Sequence, residues 1–327
     1  MDVMNPARHI GRMPTDTIAD SSPLKSTARP QDRAFEPFDY GLYAMTVFAW
    51  SLSWYALAVQ AGSGVANEVN VVWRFLIAAV IMFAWALLTR KRLKFALGDH
   101  LGFAGLGLLL FSSNFLLFYY GAQYLVSGLL SVVFSLASIV NLVLATVIMR
   151  EPPSGRTLIG GLMGFVGIAL MFLPEMQAHG FTGKTLIGLG LCVAGTLCFC
   201  TGNLISARLQ KRGLPLVSMN AWGMVYGTLW CAFLAFLFGR HFTIAWTAEY
   251  LTSLVFLSVV ATVLAFFAYL TLLGRIGSAR AGYATVMFPV FALIVSTVLE
   301  GYQWTVLAVA GLALVLAGNL FVIRGKR

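Results

Sequence analysis

Ten separate runs of apolar residues, each about twenty long and apolar on every side, leave this chain few ways to fold. They fall at 41–59, 70–89, 101–120, 125–148, 157–173, 185–207, 215–238, 251–273, 278–299 and 304–323. A helix rises 1.5 Å per residue, so ~20 residues cross a ~30 Å hydrocarbon layer with every backbone N–H and C=O bonded inside the segment. Strands of a membrane barrel alternate polar and apolar over about ten residues, and these runs do not. The composition agrees: of 327 residues 59% are apolar and 10% charged, where a soluble chain is about a quarter charged. The expected fold class is an all-α integral membrane protein with ten transmembrane helices.

Residues 1–39 hold five of the ten prolines, mixed charges and no apolar run, which predicts a disordered cytoplasmic tail with no signal peptide. The remainder divides into five spans over 40–174 and five over 175–327. Counted over alternate connections, 19 of the 22 Lys and Arg fall on one side and only Lys184 and Arg240 on the other. Positive loops stay inside, so both termini are expected in the cytoplasm of a bacterial-type inner membrane. The basic excess forms no patch or aromatic-interleaved stripe, so nucleic acid is not an expected partner.

The halves repeat. Trp73 and Trp222 are 149 residues apart, as are Glu151 and Glu300, and Gly160 with Gly167 is answered by Gly311 with Gly318 at an offset of 151. Five spans per half is an odd number, so the second half is expected to be inverted relative to the first, an arrangement that many alternating-access carriers use.

An absence narrows the chemistry further. All twelve acidic residues lie in the tail, in loops or at helix ends, and the four histidines lie outside the spans. A membrane hydrolase needs a buried acid–base constellation and a proton-driven carrier commonly uses a mid-membrane carboxylate or His. No GxxxxGK[ST] loop is present. The expectation is a non-enzyme without cofactor or metal; the four cysteines, all inside apolar segments, read as small core groups.

Mid-span positions instead carry rings and small polar groups: Trp50, Ser51 and Trp54 in the first span, Asn114 and Phe118 in the third, and Phe134 and Ser138 in the fourth. Phe199 and Asn203 in the sixth, Tyr269 in the eighth and Met287 in the ninth continue the pattern. Each ring is open to two readings, packing or substrate contact, and the buried amides bond a neighbouring helix or face a wet cavity. Pro289, the proline well inside a span, removes a backbone bond and makes either a static kink or a gating hinge. Glycines at small-xxx-small spacing, Gly160 with Gly164 and Gly223 with Gly227, read as close helix contacts. Arg74 is the one charge clearly within a span. It can snorkel, receive a substrate carboxylate, or form a structural ion pair with Glu300 at the same membrane end, and the pair is favoured.

The segments MREPPSGRTLIGGLMGFVGIAL and LEGYQWTVLAVAGLALVLAG, with GRIGSARAGYATVMFPVFALIVSTVLE before the second, resemble a duplicated EamA domain of the drug/metabolite transporter superfamily over 41–323. Val140 stands where the second repeat has Pro289. Among these proteins the chain is most similar to the YddG-type exporters of aromatic amino acids: Trp50 and Ser51 match a first-span Trp-Ser, and Phe134 and Phe199 match aromatics of the fourth and sixth spans. Leu136 and Ala137 replace a Trp-Pro of that group. The resemblance implies a monomeric secondary transporter that exports amino acids, aromatic or other apolar ones, through a central cavity. The alternatives are another exported metabolite (a threonine-like amino acid, a nucleotide sugar or a drug) or a non-transporting membrane protein.

Overall fold

The computed structural model describes residues 36–137, 139–141, 143–144, 155–178, 183–276 and 283–324, and their regular structure is helical. We number the helices α1 Pro37–Ala61, α2 Asn67–Leu88, α3 Leu97–Gly121, α4 Ser127–Ser135 and α5 Gly155–Ala178. The second half continues with α6 Gly183–Lys211, α7 Leu216–Leu237, α8 (Ala248–Val255 through to Ala265–Ile276), α9 Tyr283–Leu299 and α10 Val306–Arg324. Six of these are long and apolar enough to cross a membrane, and the rest contain shorter apolar helices. The face at which α1 starts is the near face below; the opposite one is the far face.

Helix starts follow local chemistry. α1 begins at Pro37, whose ring presets the helical φ, and the Asp39 carboxylate turns back to accept the Glu36 N–H at 3.0 Å. The helix therefore starts two residues before the expected end of the tail at 39. At the other end Gly64, with φ of 80°, makes the turn into α2 in a conformation that favours glycine.

The helices pack in a regular pattern: α5 lies on α10, α2 on α7, α4 on α9, α1 on α8 and α9, and α6 on α3 and α4. Exchanging each helix for the one five places later returns the same set. Glycines let the backbones meet. A Cβ on Gly167 would lie 2.6 Å from the Gly311 carbonyl, and one on Gly318 would lie 2.7 Å from that of Gly160, so α5 and α10 cross antiparallel at near contact. Gly223 and Gly227 of α7 receive Leu106, Gly107 and Phe111 of α3 in the same way.

Two further features recur at the 149-residue offset. The Trp73 indole donates to the Thr243 carbonyl at 3.0 Å on the far face, and Trp222 donates to the Leu93 carbonyl at 3.1 Å on the near face. α3 widens into a π-helical turn at Leu109–Ser113 and α8 at Phe256–Leu264, so positions 109–113 map onto 258–262. Such turns break the 3.6-residue register and often mark functional sites. Side-chain hydroxyls occupy the widened ladder: Ser112 Oγ donates to Gly107 O at 2.7 Å and Thr262 Oγ1 to Leu257 O at 2.7 Å, each five residues back.

Candidate functional site

Rings from five helices meet at one point. Trp54 of α1 stacks on Phe288 of α9 at 6.4 Å between centroids and 15° between planes. It also meets Phe118 of α3 edge-on at 5.0 Å and Phe134 of α4 at 5.3 Å. Phe134 in turn meets Phe199 of α6 at 4.6 Å. One turn before Trp54 on the same helix face, Trp50 packs on Tyr269 of α8 at 5.1 Å. Tilted and edge-on pairs suit the ring quadrupoles and contribute ~0.5–1.5 kcal/mol each beyond their area. Phe288, which the sequence did not single out, is 2% exposed and touches Trp50, Trp54 and Phe134.

The small polar candidates take other places. Ser51 Oγ lies 2.6 Å from Val47 O and 3.0 Å from Phe288 O, so its single proton is shared between its own helix and α9 beside buried Pro289. Asn114 follows the π turn of α3 and donates to Leu110 O at 3.1 Å. Asn203 is half-buried one turn after Phe199. Met287 is 42% exposed and stands outside the ring cluster, because neighbouring helical positions diverge by about 100° and Phe288 takes the inward direction. Ser138 lies outside the described residues.

The expected Arg74–Glu300 pair does not form. Glu300 receives the Ser127 backbone N–H at 3.1 Å and the hydroxyls of Ser127 and Ser296, so it caps the first turn of α4. Arg74 is 4% exposed, which excludes snorkelling. Its Nε and Nη2 both donate to Thr262 Oγ1, at 3.3 and 3.2 Å, and its guanidinium sits 4.3 Å from the Phe115 ring centroid. The Tyr119 hydroxyl is its other polar neighbour, and among the described residues no carboxylate forms an ion pair with it. An Arg buried in a membrane helix costs at least ~2.5 kcal/mol near the bilayer centre, of which a cation–π contact recovers up to about 2.

Arg74 belongs to a polar cluster between the centre and the far face. Tyr119 OH donates to Gln60 Oε1, Asn70 Nδ2 donates to the Gln60 and Val65 carbonyls, and Tyr250 OH donates to Asn70 Oδ1 at 2.9 Å. Tyr120 OH donates to Glu68 Oε1. Glu68 stands at a helix end, as the sequence requires, yet it is fully buried. Arg240 Nε approaches its Oε2 only to 3.9 Å, beyond hydrogen-bond reach. Gln60 Nε2, Asn67 Oδ1 and Glu68 Oε2 are buried without a hydrogen-bond partner among the described residues. Of this cluster only Arg74 is legible in the sequence; its neighbours sit at helix ends, where polar residues ordinarily meet water.

Relatives bear on the same architecture. The EamA-like transporter family matches the chain twice, over residues 40–173 and 181–324. The chain is 25% identical over 282 residues to the uncharacterized transporter YoaV of Bacillus subtilis (strain 168), a match covering 85% of this chain and 94% of that one. It is 26% identical over 285 residues to an uncharacterized transporter of Archaeoglobus fulgidus, covering 86% and 98%. A solved crystal structure superposes with a TM-score of 0.62 at 16% identity, over 87% of this chain and 96% of that one, and so shares the fold. With both halves matched and the helices packed in one repeating pattern, this chain belongs to the EamA-like transporter family.

Proposed function

We propose that this transporter exports amino acids, aromatic or other apolar ones, by alternating access through the point where α1, α3, α4, α6 and α9 meet. The ring cluster carries this reading. Trp54, Phe118, Phe134, Phe199 and Phe288 pack against one another at that point, and parting the helices on one face would offer those rings to a solute in place of each other. Trp50, Asn114 and Asn203 stand beside them, with the amides suited to a solute's polar end, and Pro289 is the proposed hinge.

The two halves are read as inverted repeats. The antiparallel crossing of α5 with α10 and the paired tryptophan–carbonyl bonds on opposite faces support it. The Lys and Arg excess of the near-face connections supports cytoplasmic termini in a bacterial-type inner membrane. The working unit is taken as one chain with a small-molecule substrate and no cofactor.

The test is counterflow with purified protein in liposomes loaded with L-phenylalanine, L-tryptophan, threonine or a nucleotide sugar. Uptake of the two aromatic amino acids above that of empty liposomes is expected. Replacing Trp54 or Phe199 by Ala should reduce it at unchanged folded yield. Movement of threonine or the nucleotide sugar alone would refute the aromatic substrate; movement of none would refute transport of this class.

A further inference from the structure

The polar cluster around Arg74 has no counterpart in the other half. At 149 residues on from Gln60, Asn67, Glu68, Asn70, Arg74 and Tyr119 stand Leu209, Leu216, Val217, Met219, Gly223 and Ala268. Leu209 and Met219 are buried, and Gly223 packs on Phe111 and Leu106. The scaffold therefore closes the equivalent place without a charged group, with Ser218 and Asn220 as the buried polar residues beside Met219. Packing does not call for a buried guanidinium and carboxylate in the first half.

The cluster is also incomplete by its own bonding. Arg74 carries five N–H donors and spends two on one neutral oxygen, with the neutral Tyr119 hydroxyl as its other polar neighbour, and Gln60 Nε2 has no acceptor among the described residues. Toward the far face the lack is of the opposite kind, since Glu68 Oε2 and Asn67 Oδ1 have no hydrogen-bond donor among the described residues. Glu68 precedes Arg74 by six residues, about 9 Å along α2 and about 120° around it, so the two lacks stand apart on the helix. Buried polar groups in folded proteins are almost always bonded. A solute carboxylate would accept from Arg74 and from Gln60 Nε2, the side chains that share Tyr119 as a neighbour.

We infer that this cluster is the binding site for the carboxylate of an amino acid, with Arg74 receiving it. The inference rests on the transporter reading above and narrows its substrates to solutes that carry a carboxylate. Depth supports it. Trp54 lies seven residues from the far end of α1 and Arg74 seven from that of α2, about 10 Å below that face in each case. Phe115 lies under the guanidinium, and Phe118, three positions on along the same side of α3, touches Trp54. An amino acid with its carboxylate on Arg74 would thus lay its side chain against the ring cluster.

The experiment compares L-phenylalanine, 3-phenylpropionate and L-phenylalaninamide by calorimetric binding in detergent and by flux in liposomes. The wild-type protein should bind the amide about tenfold or more weakly than L-phenylalanine, the scale of one charge-assisted bond. Arg74→Gln should lose that preference by weakening the two carboxylates and leaving the amide unchanged, and Arg74→Lys should keep part of it. Should Arg74→Gln not fold, Gln60→Leu, which installs the residue found at 209, should weaken both carboxylates. Equal wild-type affinity for acid and amide, or L-phenylalanine affinity unchanged in a folded Arg74→Gln or Gln60→Leu, overturns the site. Flux of the amide alone overturns the site and leaves transport standing. Arg74-dependent binding without flux supports the site and refutes transport, and absence of both binding and flux for all three overturns both.

Discussion

The near and far faces are closed by different chemistry. On the near face charged groups meet directly: Arg212 reaches Asp99 at 2.6 Å, and Arg275 contacts Asp39 and Glu36. On the far face the one ion pair among the described residues, Arg240 with Glu68, stays at 3.9 Å, and closure depends on hydrogen bonds donated by Tyr120 and Tyr250 and accepted by Glu300. Both faces share the tryptophan–carbonyl bond, so the difference lies in what was added to a common frame. Exposed pairs are screened and contribute little, whereas a buried polar group that loses its partner costs its whole desolvation. Far-face substitutions should therefore destabilise more than those at the near-face pair of Arg212 and Asp99, whose arginine is largely exposed.

The largest effect is expected at Glu300. Replacement by Ala removes the acceptor of the Ser127 N–H and of two hydroxyls, and uncaps the first turn of α4. A loss of about 2–4 kcal/mol is expected from one cap plus the stranded donors. Thermal unfolding in detergent reads it, and Glu300→Gln should recover part by restoring one acceptor. A loss no larger than that of Asp99→Ala would break the contrast between the faces.

Tyr120→Phe comes next. It removes the one hydrogen bond to Glu68 among the described residues and leaves a fully buried carboxylate with only the distant Arg240. About 1–3 kcal/mol is the expected loss. Adding Glu68→Gln should return part of it, because the uncharged amide costs less to bury. If the double variant is less stable than Tyr120→Phe alone, the carboxylate is held by something other than the tyrosine.

How much of the structure is legible in the sequence differs from feature to feature. Ten apolar runs and the spacing of Gly160, Gly167, Gly311 and Gly318 are intrinsic to the residues, and the glycines meet where a side chain would clash. The Trp73–Trp222 period was visible, but its cause was hidden, because the acceptors are backbone carbonyls with no side-chain signature. The Arg74–Glu300 pairing failed for a related reason. Topology assigns a residue to a membrane end but not to a direction around its helix, and Glu300 points at the start of α4. Phe288 was missed between Met287 and Pro289 because periodicity alone cannot choose the inward ring in an all-apolar run. The π turns of α3 and α8 carry no residue signature at all.

The smallest effect is expected at the near-face pair of Arg212 and Asp99. The distance is short, but the Arg212 side chain is 59% exposed against 11% for Asp99, so water and salt compete for the guanidinium and the arginine must be ordered to make the bond. Asp99 keeps a second source of stabilisation without it. It occupies the first turn of the helix that begins at Leu97, where the unpaired backbone N–H groups favour a negative charge. Arg212→Ala should therefore cost less than about 1 kcal/mol, and raising salt should shrink even that. Asp99→Asn should cost somewhat more, since it removes the partner and the dipole interaction together while leaving Arg212 free to meet water. Equal losses for Arg212→Ala and Tyr120→Phe, unchanged by salt, would mean that the near face is held as firmly as the far one and that exposure does not set the difference between them.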